Sequence, residues 1–532
     1  MSNPIIDAKS GGVTPPPPGR LREATERRVK EAHHDEEAGP AANADNGDEA
    51  LYADKGGTYT KGLPHNEWGQ VDQAAYKTFK TALATGSFAD FEAITMGGSR
   101  TLNGPQGGLC FDLEMKDNIQ FGQPQAPPAP PVAGPQSGAE LLEHYWASLL
   151  RDVAFTDYAS DPLAAIAAKE FSGLDPAWYT GPRNSSGQVT PELLFRGTFP
   201  GENIGPYVSQ FLLIPAYMGS QPIGQQQTTY LPHIDYLTDF NDWLTVQNGN
   251  STGLQNQTDP VLRFRRNGRD LAAFTHVDVL YQAYFTAHLV LSTINAPLNP
   301  GNPYLKSKTE NGFGTFGAPD IAATLTEVAN RALNAVWYQK WWVHLRARPE
   351  AAAGIVSINK GYPAGGRSDV TMSDVILNSV GLQQSYQENR SWLLSQAFPE
   401  GSPTHPSYPT GHGTVGGACL TVLKFFYAGD FVIPKPVVAA SDGLSLAPYT
   451  GSDAGQLTVS GELNKLGHNI SFGHGIHAGI HWRSDTDTSL LLGEAVALDF
   501  LRHKAPAYNE PFSVELTKFD GTKVTISNRG KP

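Results

Sequence analysis

Apolar residues recur at helical spacing in several windows of the 532-residue chain. Leu141, Leu142, Tyr145, Trp146, Leu149 and Leu150 form one buried stripe. Ser137-Gly138-Ala139-Glu140, just before it, has the spacing of a capping box and predicts a helix start there, after the Pro-rich run Pro124 to Pro135. Further helical windows run from Leu271 to Leu291, from Asp320 to Arg348, from Thr414 to Tyr427 and from Thr486 to His503. Strand-like alternation is rare, and the tail S-V-E-L-T-K-F-D-G-T-K-V-T-I predicts a hairpin around Asp520-Gly521. Loops rich in Gly, Pro and Asn, such as N-G-N-S-T-G-L and P-L-N-P-G-N-P-Y, separate the windows. No fixed period recurs, which excludes a solenoid. The pattern predicts a mainly α-helical protein with long loops and a few short β-hairpins. One large domain is expected from residue 55 to 532. Residues 1 to 54, Pro-rich at Pro15 to Pro18, then charged, then small and polar, read as a mobile arm.

Composition narrows the partners. The formal charge of -13 disfavours a nucleic-acid or anionic-membrane partner. The most apolar long window, Leu271 to Ile294, carries His276, Asp278 and His288, so it reads as a buried helix and not a membrane span. No apolar run near the N-terminus could serve as a signal, so a soluble protein is expected, cytoplasmic by default, with export by another route left open. Two cysteines, Cys110 and Cys419, exclude a disulfide framework.

Three segments carry candidate chemistry. In S-P-T-H-P-S-Y-P-T-G-H-G-T-V-G-G-A-C-L, Ser402 to Leu420, a turn at Pro409, Thr410 and Gly411 places His412 in the first turn of a helix. The free N–H groups of that turn and the Thr410 hydroxyl would make an anion seat. In W-Y-Q-K-W-W-V-H-L-R-A-R-P-E, Lys340 and Arg348 lie eight residues apart on a helix expected to be stopped by Pro349. That is about 12 Å along the axis and some 80° around it, so both cations can reach one anion. In N-I-S-F-G-H-G-I-H-A-G-I-H-W-R-S-D, His481 is offered together with Asp485. His474, His477 and His481 would share one helical face and could bind a divalent metal, although two glycines interrupt the segment.

In this order the segments K-x7-R-P, P-S-Y-P-T-G-H and G-x-H-x3-D resemble the signatures of the vanadium-dependent haloperoxidase and type-2 phosphatidic acid phosphatase superfamily. The similarity runs from G-L-P-H-N-E-W-G near residue 62 to the C-terminal F-D-G-T-K-V-T-I, and is to bacterial bromoperoxidase-like members. It implies a helical fold of two four-helix bundles holding orthovanadate, with no haem or nucleotide. By position, Lys340 and Arg348 would bind vanadate oxygens, Gly411 would give its N–H and Thr410 its hydroxyl, and His481 would be the axial ligand to vanadium. His412 would be the acid–base residue, with Lys340 polarising peroxide so that halide attacks and leaves as hypohalous acid, which halogenates a small organic nucleophile. His405 stands where bromoperoxidases have histidine and chloroperoxidases an aromatic, favouring bromide. Asp278 on its buried helix would pair with Arg348. A homo-oligomer is implied by the same resemblance.

The chain departs from the pattern twice. Thr410 replaces the usual serine and keeps the hydroxyl. More seriously, the arginine expected after F-G, six residues before the axial histidine, is absent: Gly475 stands there, His474 follows F-G, and the segment is one residue longer. His474 would substitute as a pH-dependent donor, tightening vanadate binding as it protonates, or Arg483 would reach in. Two alternatives stay open: a phosphatase with His412 as nucleophile, and a lapsed homologue.

Overall fold

The computed structural model describes residues 19–38, 42–110 and 124–528. Among them, α-helices joined by long loops dominate, with three two-stranded antiparallel hairpins. Four helices, Ala318–Tyr338, Gly411–Phe426, Val459–Phe472 and Arg483–Lys504, pack on one another. The Gly411–Phe426 helix is buried along its whole length, and its small residues explain how. A Cβ on Gly417 would lie 2.0 Å from the Leu490 carbonyl oxygen, and one on Gly493 would lie 2.0 Å from that of Thr414. Only glycine lets two helix backbones approach so closely. Cys419 fills the same helix as a small buried side chain.

A second group gathers on the Pro135–Leu149 helix, which packs against Pro349–Asn359, Asp374–Leu377 and Val380–Asn389. Leu141, Leu142, Tyr145, Trp146 and Leu150 of the expected stripe are buried, and Leu149 packs at its margin. Both groups share one apolar core. The C-terminal hairpin pairs Ser513–Thr517 with Lys523–Ser527, Val514 opposite Ile526, and Gly521 takes φ +81° in its turn.

Three helix boundaries differ from expectation. The helix expected to start at Ser137 begins at Pro135, capped by Gly134 without a side-chain bond. Proline costs nothing in a first turn, where its missing N–H has no intrahelical partner. Leu271 to Ile294 is not one helix but two, Gly268–His276 and Gln282–Thr293, parted where Val277 leaves helical geometry at φ -131°. Val277 is 83% exposed there, while Asp278 between the two helices turns inward. The window from Asp320 to Arg348 is α-helical only to Tyr338, then winds as a π-turn over Gln339–His344 and ends at Leu345, φ +44°. Pro349 therefore starts a new helix, with Arg348 as its N-cap, and stops none.

Part of the expected arm is built into the fold. Arg20–Ala38 is a helix, with Glu31 3.8 Å from His503. Asp48 accepts from the Val132 N–H at 2.9 Å, and Asp54 from that of Asp369 at 2.8 Å, so the packed domain begins before residue 55. Pro15 to Pro18 lies outside the described residues. Among those described, no helix is long and apolar enough to cross a membrane.

Candidate active site

The break at Leu345 makes the cationic strand of the site. Beyond it the chain is extended and held on two sides: Tyr59 N–H donates to Leu345 O at 2.7 Å, Ala347 N–H to Gly57 O at 3.1 Å and Ser407 N–H to Arg346 O at 3.0 Å. Alternate residues of an extended segment face one way. Arg346 and Arg348 accordingly both meet the 480–485 segment.

Arg348 is 1% exposed. It donates through Nε to His405 O at 3.0 Å and through Nη1 to Ile480 O at 2.9 Å and His481 Nε2 at 2.7 Å, while Nη2 reaches His405 Nδ1 at 2.9 Å. Because a guanidinium only donates, His481 Nε2 must be the accepting nitrogen and Nδ1 must carry the proton. Nδ1 faces Asp485 Oδ2 at 3.1 Å. That carboxylate is itself fixed by the Ser407 hydroxyl at 2.5 Å, the Trp482 N–H at 3.1 Å and, on Oδ1, Arg346 at 2.8 Å. A carboxylate behind Nδ1 fixes the ring and turns the Nε2 lone pair toward Arg348, an arrangement that suits a ligating or nucleophilic imidazole.

Lys340, 0% exposed, donates to the carbonyls of Pro406 and Ser407 at 2.8 and 2.9 Å. Among the described residues neither Lys340 nor Arg348 has a carboxylate at ion-pair distance, while Asp485 is taken by Arg346. Burial, followed by the Arg348 charge, presses the Lys340 ammonium well below its ordinary pKa. Two buried cations without a counter-ion call for an anion.

The anion's donors stand beside them. Thr410 is the N-cap of Gly411–Phe426, yet its hydroxyl caps nothing, and its Oγ1 is buried without a partner. Its N–H is fixed to Asp485 O at 3.3 Å, and the Thr414 N–H closes the first turn on Thr410 O at 3.1 Å. The N–H groups of the first turn have no intrahelical acceptor and carry the positive end of the helix dipole. An orphaned hydroxyl, a helix N-terminus, two cations without a carboxylate at ion-pair distance and an unprotonated imidazole nitrogen beside one of them fit a tetrahedral oxyanion such as vanadate.

Asp278 does not pair with Arg348. Its Oδ1 lies 2.9 Å from His412 Nε2, because the break between the two helices carries it to the start of Gly411–Phe426. His412 and His481 each have one ring nitrogen beside a carboxylate, Nε2 of His412 on Asp278 and Nδ1 of His481 on Asp485.

The third segment resolves in an unexpected way. Gly473–His477 is a π-turn, with Ala478 N–H bonded to Gly473 O at 3.2 Å, so the additional residue is absorbed in one wide turn. A Cβ at Gly475 would sit 3.2 Å from His481 Cβ and 3.3 Å from His481 O, so a larger side chain there would need His481 to shift by a few tenths of an ångström. His474 enters the site in its stead, its ring centroid 4.0 Å from that of His412 and 5.6 Å from that of His481, with Nδ1 buried and unpartnered. Burial and the charges of His412, His481 and Arg348 hold His474 well below its usual pKa. The anion-free site therefore disfavours the expected protonation of His474.

Two further expectations are corrected. Arg483 points away, held through Nε by Glu143 at 2.9 Å and through Nη1 by Arg196 O at 3.0 Å. His477 faces Tyr207, Nε2 to hydroxyl 3.0 Å, so the three histidines share no face. No metal-ligand cluster of His, Cys, Asp or Glu occurs among the described residues. His405 is in place, bonded to Arg348 and packed on Trp337 at 4.9 Å.

Sequence reasoning missed Arg346 and Ser407, which lock Asp485. Arg346 is two residues from Arg348, and that spacing is a signal only once the segment is known to be extended. It also missed a cavity of about 430 Å³ that reaches His474 from outside.

No family model matches the chain. Full-length relatives do. The vanadium-dependent bromoperoxidase of Corallina pilulifera is 32% identical over 95% of this chain and 98% of its own, and that of Ascophyllum nodosum is 33% identical over 97% and 94%. The homohexameric structure of the second vanadate-dependent bromoperoxidase of Ascophyllum nodosum superposes with a TM-score of 0.91 at 28% identity, over 99% of this chain and 94% of that one. Identity of this degree across almost the whole of both sequences means that the chain belongs to the vanadium-dependent bromoperoxidase family.

Proposed function

We propose that this protein oxidises bromide with hydrogen peroxide to hypobromous acid, which brominates small organic nucleophiles, with orthovanadate as cofactor. The single observation that carries the reading is the convergence of the Thr410 hydroxyl, without a partner, with Lys340, Arg348 and His481 Nε2 at the N-terminus of one helix.

Vanadate bound there supplies a Lewis-acidic centre that activates hydrogen peroxide without changing its own oxidation state. The chain's residues do the rest. Lys340 and Arg348 neutralise the anion, and Lys340 is placed to draw electron density from an oxygen under attack. Thr410 and the Gly411 N–H donate to oxygens, as does His474. His481 offers Nε2 to the metal while Asp485 and Ser407 fix its ring. His412 takes and returns the peroxide protons, with Asp278 steadying Nε2. Burial of the seat keeps bulk water from competing for these donors.

The histidine at position 405 supports bromide over chloride by resemblance. A homo-oligomer is inferred from the homohexameric relative. Phosphate-ester hydrolysis would use the same seat with His481 as nucleophile, but the full-length relatives favour the peroxidase.

The test is bromination of a dione reporter by metal-stripped protein with bromide and hydrogen peroxide. Activity that rises from zero and saturates with orthovanadate is the expected result. Activity indifferent to vanadate, or none in a folded sample at high vanadate, would overturn the proposal.

A further inference from the structure

Resting on that reading, we infer that the cavity outside the site binds the organic acceptor, and that Arg100 selects electron-rich arenes bearing a carboxylate. The cavity, about 430 Å³, is of a size for one small molecule. Its inner wall is His474, the ring that stacks on His412, so what leaves the site on that side enters this space. The His276 ring, lying on the buried Phe398, gives it an aromatic wall, Thr101 and Thr404 a polar edge, and Arg100 a cation.

The two charged groups of the wall are not equivalent. Glu400 is committed: its Oε1 is 2.6 Å from His276 Nε2, whose Nδ1 is 2.6 Å from the Tyr230 hydroxyl and whose ring lies flat on Phe398, centroids 3.7 Å apart. Arg100 is anchored only through its backbone, N–H to Gly249 O at 2.9 Å. Its guanidinium makes no hydrogen bond or ion pair among the described residues. Arg100, His276 and Glu400 also line an adjoining cavity of about 270 Å³, so the half-buried guanidinium borders both spaces, with Glu400 close enough to feel its charge. A guanidinium fork matches a carboxylate with two parallel bonds. A bare halide would use one donor and neither ring of the wall, so the fork and the aromatic rings of His276 and His474 together point to an arene carboxylate.

Held there, the arene attacks the bromine of hypobromous acid: the C–Br bond forms, the Br–O bond breaks, and the departing hydroxide takes the ring proton as water. No oxidant beyond hydrogen peroxide is required.

The experiment is a competition between 4-hydroxybenzoate and its methyl ester for the vanadate-loaded enzyme, with the acid-to-ester product ratio compared with that from reagent hypobromous acid in the same buffer. The expected ratio favours the acid by about tenfold over the reagent, R100A collapses it to the reagent value, and R100K retains part of it. Saturation-transfer signals of the acid on loaded protein without peroxide should weaken in R100A and not in wild type. A wild-type ratio equal to the reagent's means that bromination occurs free in solution and overturns the inference. So does an R100A variant that raises the KM for bromide and leaves the ratio unchanged, which would make Arg100 a halide contact. Bromide oxidation followed as tribromide, without organic acceptor, separates the two levels: if it is absent, the peroxidase reading itself fails and the inference with it.

Discussion

The His474 ring lies against that of His412, centroids 4.0 Å apart and planes inclined by 30°. An imidazole thus borders the site in a chain that lacks the arginine of the family pattern, so one charge-assisted contact to the anion is missing. Such a bond contributes about 1.5 to 3 kcal/mol. His474→Arg should therefore tighten vanadate binding about ten- to a hundredfold. His474→Gln, which keeps a neutral donor, should weaken it only slightly and by the same factor at pH 5.5 and pH 8. Orthovanadate titrations of the three proteins check this, and a His474→Gln deficit that grows as pH falls would show that His474 is charged.

Asp278 acts on His412 and not on Arg348, since its Oδ1 is 2.9 Å from His412 Nε2. Asp278→Asn should lower kcat for bromide oxidation by about a hundredfold, within the range of general acid–base effects, and leave vanadate affinity almost unchanged. A parallel loss of both, measured in one preparation, would return Asp278 to the anion seat.

Asp485 joins Arg346 to the His481 imidazole. Asp485→Ala leaves the buried Arg346 guanidinium only Glu140, 3.8 Å away, as a carboxylate, and should lower Tm by several degrees. Asp485→Asn spares the packing but misorients His481, and vanadate affinity should fall about ten- to a hundredfold. Unaltered affinity in the asparagine variant would remove Asp485 from the support of the site.

Legibility from sequence followed the physics of each segment. The Pro409-Thr410-Gly411 corner announced a helix N-terminus because proline, glycine and small residues have few other uses in that order. Lys340 and Arg348 converge as expected but by another route, because a π-turn and a left-handed Leu345 replace one straight helix. Nothing in the spacing of Trp341, Trp342 and Val343 marks that break. The Leu271 to Ile294 window is apolar enough to read as one helix, and its interruption at Val277 shows only in the turn that Asp278 makes toward His412. The wide turn at Gly473–His477 was visible only as a length mismatch, since hydrophobic periodicity does not separate π from α geometry over one turn.

Away from the site, His468 is buried between Glu202 and Asp487, its Nδ1 on Glu202 and its Nε2 2.9 Å from Asp487 Oδ1. Burial opposes the charge, but the two carboxylates outweigh it and raise the imidazole to about 9. A folded-state pKa above the unfolded value, about 6.5, contributes stability that is complete below pH 6.5 and is lost as pH rises through 9. The contribution is of order 3 kcal/mol. Tm measured from pH 6 to 9.5 should fall more steeply in wild type than in His468→Gln. Parallel curves would contradict it.

The central claim is that Lys340, Arg348, Thr410, Gly411 and His481 form one vanadate seat. Equilibrium dialysis of metal-stripped protein against orthovanadate tests it most directly, with His481→Ala, Lys340→Ala and Thr410→Val alongside. The account predicts one vanadate per chain, displaced by excess phosphate, with binding reduced at least tenfold in each variant. Stoichiometric binding that survives in all three variants, or no binding at millimolar vanadate, would contradict it.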